Sequence, residues 1–159
     1  MNKTLASLIL GLGLTTNSYS GDIPTFPKQY ELRPEQKVEM LGIQKIWPTV
    51  WMDAKTDKFN IEYTYIHGGN KATSEMLNLG NTAEEGISIV DEQSDGIADL
   101  VFYKDLKIER KGNQWTAYFG DGNKKNCNDF GAEAQKLLKQ YQNALNVKKN
   151  RPYEVPAQH

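Results

Sequence analysis

The sequence predicts an α+β fold: an antiparallel sheet of about five strands with a C-terminal amphipathic helix packed on one face. Three observations predict it. Phe59, Ile61, Tyr63 and Tyr65 alternate with polar residues, the period-2 pattern of a half-buried strand. Residues 87–91, 99–110 and 114–119 are β-prone stretches separated by turn signals, which reads as a meander. Phe130, Ala134, Leu137, Leu138, Tyr141 and Leu145 recur at steps of three and four, one apolar stripe of a 3.6-residue period.

Taken in order, residues 21–33 carry two prolines and little periodicity, so they form an extended lead-in. Pro34 at a first helical position and Gly42 just past an end predict a two-turn helix between them, with Val38 and Leu41 inward. Residues 43–52 are apolar and β-prone but contain Pro48, which cannot donate to a ladder. They read as an edge strand or two short pieces, paired as a hairpin with 59–66. His67-Gly68-Gly69-Asn70 ends that strand, and 71–86 reads as a loop with one helical turn near Ser74 to Leu79. In the meander, Leu100, Phe102, Leu106 and Ile108 share a face that Lys104 interrupts. Lys111-Gly112-Asn113 turns the chain into Trp115, Ala117 and Phe119, and a polar loop over 120–128 follows. Asn128 or Asp129 caps the final helix by accepting from its free amides.

The ends read differently from the middle. Lys3, an apolar or small run from Leu5 to Leu14, and Ser18-Tyr19-Ser20 before Gly21 have the form of a secretory signal peptide over 1–20. The run is shorter than the roughly 20 residues a bilayer span needs, and no other segment reaches that length. A single α+β domain over 21–147 and a C-terminal tail over 148–159 complete the organisation, with a secreted or periplasmic location. The 19 Lys and Arg are scattered among 20 Asp and Glu, so no nucleic-acid footprint is present. Cys127 is the sole cysteine; it excludes an intrachain disulfide and a thiolate zinc site.

One stretch joins residue type to spacing. Counting from Asp91, oxygen-bearing side chains fall at positions 1, 3, 5 and 9 as Asp91, Gln93, Asp95 and Asp99, and Gly96 stands at position 6. A calcium ion takes six to eight hard oxygen ligands, and a loop that converges them must turn sharply at a glycine. This stretch resembles the Asp-x-Asp-x-Asp-Gly-x-x-Asp loops of thrombospondin type 3 repeats, dockerins and FG-GAP repeats, over residues 91–99 only. The resemblance implies a Ca²⁺ ligand set of Asp91, Gln93, Asp95, the Ile97 carbonyl and Asp99. Gln93 departs from it, since those loops carry Asp or Asn there, and a neutral ligand weakens binding. Phe102 at position 12 excludes the EF-hand form, which needs a bidentate Glu. Without an ion, Asp95-Gly96 reads as a two-residue hairpin turn.

The function expected is therefore that of an exported, non-enzymatic protein with a structural calcium site in a β-hairpin turn, its partner an unknown protein or surface polymer. Two alternatives stand beside it: a small secreted hydrolase using His67 with a carboxylate from one of the acidic loops, and a surface interaction module with no metal. The aromatic residues Trp47, Trp51, Tyr63, Tyr65, Trp115, Tyr118 and Phe119 belong to the core or to a binding face on the uncovered side of the sheet.

Overall fold

The computed structural model describes residues 21–147 except 70 and 83, so the expected leader and tail lie outside the described residues. After an extended lead-in with a single 3-10 turn at Lys28–Tyr30, the chain runs up and down through nine strands. These are β1 Glu39–Ile46, β2 Thr49–Lys55, β3 Asn60–Gly68, β4 Lys71–Leu79, β5 Ile87–Asp91, β6 Leu100–Tyr103, β7 Leu106–Lys111, β8 Gln114–Tyr118 and β9 Lys124–Asn126. One helix, α1, follows at Asn128–Ala144. Strand order in space equals order in sequence, so every pairing is antiparallel and every connection is a hairpin.

Register lines up whole rows of side chains. Ile43, Met52, Tyr63, Leu77, Ile89, Val101, Ile108 and Ala117 occupy successive strands at one level. All of them but Ile43 are buried. This inner face receives α1. Phe130, Ala134, Leu137, Leu138 and Tyr141 are buried on the helix, and each large one contributes roughly 1.5–3 kcal/mol of transfer free energy. The helix crosses the strands obliquely: Gly131 lies against the Trp115 indole on β8, and Gln142 Nε2 donates to the Tyr63 hydroxyl on β3 at 3.0 Å. The lead-in closes the core's lower end, with Phe26 edge-on to Phe130 and Tyr30 edge-on to Phe59, both at 5.0 Å between centroids.

The expectation of about five strands is corrected to nine. Four local features account for the difference. No helix forms after Pro34; a turn stands there and the chain enters β1 at Glu39, where pairing with β2 outweighs a weak local signal. The stretch 71–79 is strand β4 and not a loop. Its inner residues are Ala72, Glu75, Leu77 and Leu79, so alternation changes parity after Ala72. A register shift in the pairing beyond Ile66 causes that change, because an inserted residue sends every later side chain to the other face. Residues 99–110 fold as two strands reversed at Lys104, whose φ of 53° is the left-handed turn conformation. The polar loop after Phe119 holds the short strand β9.

The N-terminus of α1 also differs from expectation. Cys127 is at its boundary, and the Asn128 side chain accepts from Trp115 N at 2.8 Å, tying the helix start to β8 in place of capping it.

Candidate metal loop and its buried acid

The connection between β5 and β6 spans eight residues, so Asp95-Gly96 is part of a wound loop and not a two-residue turn. Asp91 sets the winding. It ends β5 on the inner face, fully buried, and its carboxylate turns back into its own loop. Oδ1 accepts Asp95 N at 3.1 Å and Oδ2 accepts Gly96 N at 2.7 Å. Ser94 and Gly96 supply the two left-handed residues this curl needs, with φ of 54° and 85°. Asp95 Oδ1 accepts Ile97 N at 2.9 Å, which tightens the next turn. Two amides aimed at one carboxylate give each of its oxygens a hydrogen-bond partner in a buried place.

The remaining expected ligands are distributed differently. Gln93, Asp95 and Ile97 are exposed on the loop. Asp99 is half-buried; its Oδ2 accepts Glu92 N at 2.9 Å, and its Oδ1 meets Arg110 Nη2 at 2.8 Å. Arg110 also donates to the carbonyls of Ala98 and Gly112, so one guanidinium clamps the exit of the loop. From the helix, Gln135 reads two backbone groups: its Oε1 accepts Ala98 N at 2.7 Å and its Nε2 donates to Gly96 O at 2.9 Å. Among the described residues, no three acidic, histidine or cysteine side chains come together as a ready-made metal cluster.

Sequence reasoning missed Glu75. It lies opposite Asp91 across the β4–β5 ladder and is 1 % exposed. Ser94 Oγ and the Tyr63 hydroxyl both donate to its carboxylate. Burial, reinforced by the Glu75 charge, pushes the Tyr63 phenol far above its ordinary range, so it remains a donor. A chain of contacts thus runs from the loop through Ser94, Glu75 and Tyr63 to Gln142 on α1. The only sequence signal was an acid at a position whose strand neighbours, Leu77 and Leu79, are apolar; the parity change hid it.

His67 is buried at the end of β3, with the Trp47 ring stacked over it at 6.4 Å and the Tyr65 ring edge-on at 5.2 Å. Burial, with the Lys45 ammonium, holds its imidazole below the usual range. Of the other aromatic residues, Tyr63, Tyr65, Trp115 and Phe119 are core, Trp51 and Tyr118 are half-buried, and Trp47 is exposed. No helix among the described residues is long and apolar enough to cross a membrane.

Compared with known proteins, the chain matches no family model, no curated protein and no solved structure.

Proposed function

We propose that this is an exported, non-enzymatic protein whose β5–β6 loop takes a structural calcium ion. The ligands are Asp91, Gln93, Asp95, the Ile97 carbonyl and Asp99, with Glu75 as the carboxylate beside them from β4. The observation that carries this reading is the curl of the loop about Asp91, with Asp95 N and Gly96 N both donated to its carboxylate. A chain so wound holds position 1 inside the loop while residues 93, 95 and 97 pass around it. A second support is the juxtaposition of Glu75 and Asp91, two buried acidic side chains opposite each other on adjacent strands, an arrangement that a bound cation would compensate. Asp99 would exchange its Arg110 partner for the ion. Scattered basic residues leave nucleic acid out of the proposal.

At about 1 mM calcium and a dissociation constant near 0.1 mM, linkage adds about 1.4 kcal/mol. For a domain of this size that raises Tm by about 5 °C. The test is melting with calcium, with magnesium and with chelator. The expected result is a calcium-specific rise that Asp95→Ala abolishes; a melt indifferent to calcium removes the proposal.

One observation favours a second reading. The Arg110–Asp99 pair places a protein cation at the loop, so Arg110 performs the ion's task in a metal-free interaction module. That reading predicts a calcium-blind melt and a strong loss of stability in Arg110→Met.

A further inference from the structure

The two edges of the sheet are built differently. At one edge, β9 is three residues long and carries Lys124 and Lys125, and the Lys125 ammonium reaches the Gly21 carbonyl. Short length and edge lysines are protections against strand addition. At the other edge, β1 is eight residues long and every one of them is exposed, including Met40, Leu41, Ile43 and Ile46. It pairs with β2 alone among the described residues. Ile43 continues the buried inner row from Met52 and Tyr63 yet is 55 % exposed, so the core stripe runs off this edge into solvent. A register shift between Met40 and Gly42 leaves Gly42 to Ile46 as the regular stretch open to pairing.

The opposite face beside this edge is a groove of about 870 Å³. Asp53, Glu62, Asn78 and Ser88 stand in one row across its floor, on successive strands. Asn78 Nδ2 donates to Glu62 Oε1 at 2.9 Å. Asp53 and Glu62 are the acidic residues of the lining, and no Lys, Arg or His is among the lining residues. An added strand alternates its side chains between the two faces. Here one set would neighbour Met40, Ile43 and Lys45, while the other would neighbour Gly42 and Gln44. A long basic side chain can pass over Gly42, which has no side chain, toward Asp53 on β2, with Glu62 one strand further in.

We infer that β1 is the docking edge for an extended segment of a different protein, one that alternates aliphatic with basic residues. Charge complementarity selects the occupant. A second β1 does not meet the requirement, because its own groove-side residues are Glu39, Gln44 and Ile46, with no cation among them. A second β9 is too short to cover Gly42 to Ile46. Main-chain pairing supplies affinity, and the two side-chain sets supply specificity.

The experiment uses labelled synthetic peptides and the folded chain, with and without calcium, read by fluorescence anisotropy. A peptide alternating lysine and valine is compared with one alternating glutamate and valine, and with one of the same lysine and valine content arranged in two blocks. The alternating basic peptide should bind saturably, the acidic one should not, and the block peptide should be weaker by at least about tenfold. Asp53→Asn with Glu62→Gln should weaken binding about tenfold at low salt and much less at high salt. Methylation of alternate backbone amides of the peptide should abolish binding with the protein unaltered, which keeps the test valid if the double variant fails to fold. Equal binding of all three peptides, no saturable binding, or sedimentation as a dimer that Ile43→Lys dissociates would each overturn the inference. Because peptide binding is read separately from calcium-dependent melting, either proposal can fail alone.

Discussion

Glu75 and Asp91, both fully buried, face each other across the β4–β5 ladder, one engaged by two hydroxyls and the other by two backbone amides. The pair joins a surface loop to the core: one carboxylate shapes the loop and the other leads through Tyr63 to the helix. Its properties therefore show both in stability and in how tightly the loop is held.

Asp91→Ala removes the acceptor for two part-buried backbone amides and leaves a cavity where the buried carboxylate stood. It should cost about 2–4 kcal/mol in a urea titration, whereas Asp91→Asn, which retains one acceptor, should cost about half as much. A loss below 0.5 kcal/mol for Asp91→Ala, an outcome typical of surface substitutions, would show that the loop does not depend on this curl.

Glu75→Gln keeps the shape of the side chain but replaces one acceptor oxygen with an NH2 donor, so one of the two hydroxyls that donate to it must turn and accept. Metal-free stability should change by less than about 1 kcal/mol, since the lost acceptor is offset by removing one of two acids that face each other across the ladder. The calcium-dependent rise in Tm should fall by more than half. An undiminished rise would exclude Glu75 from the ion's surroundings.

Gln135→Ala severs the link from α1 to Ala98 N and Gly96 O. About 1–3 kcal/mol of stability should be lost. The Ala98 amide should exchange with deuterium much faster than the amides of β5, because local opening of the loop is released from global unfolding.

Gly131 packs directly against β8, and a Cβ there would fall 2.2 Å from the Trp115 ring. Gly131→Ala should therefore destabilise by roughly 1–3 kcal/mol despite the better helix propensity of alanine. The calorimetric Tm of the variant checks this, and a rise in Tm would contradict the packing.

Alkaline pH should unfold the protein progressively. Burial pushes the Cys127 thiol up to about 11 and the Tyr141 phenol up beyond its ordinary range. The unfolded thiol ionises near pH 8.5–9 while the folded one keeps its proton, so its contribution is complete below that range and is lost as pH rises toward 11. Denaturant midpoints should fall between pH 9 and 11. Over the same range Cys127 should react with thiol reagents only as fast as the chain unfolds; rapid native-state labelling at pH 8 would contradict its burial.

Strands whose side chains alternate without interruption were legible in the sequence. Phe59 to Ile66 shows its inner face residue by residue, and so does the stripe of the final helix from Phe130 to Leu145. Strand β4 was not legible. A shift in pairing near Thr73 reverses its parity, and Glu75 occupies a core position that its residue type argues against. Strand β9 was hidden for a different reason: Lys124, Lys125 and Asn126 have low strand propensity and are ordered by pairing with β8.

By itself, the sequence determined which segments bury one face and where an acidic, glycine-centred loop would lie, because periodicity and turn chemistry are local properties. Only the tertiary structure decided which side chains become neighbours across the strands. Ladder register placed Glu75 beside Asp91, set Arg110 against Asp99, and left Ile43 at an open edge. Register depends on bulges and loop lengths summed along the whole meander, and a single inserted residue changes every contact beyond it.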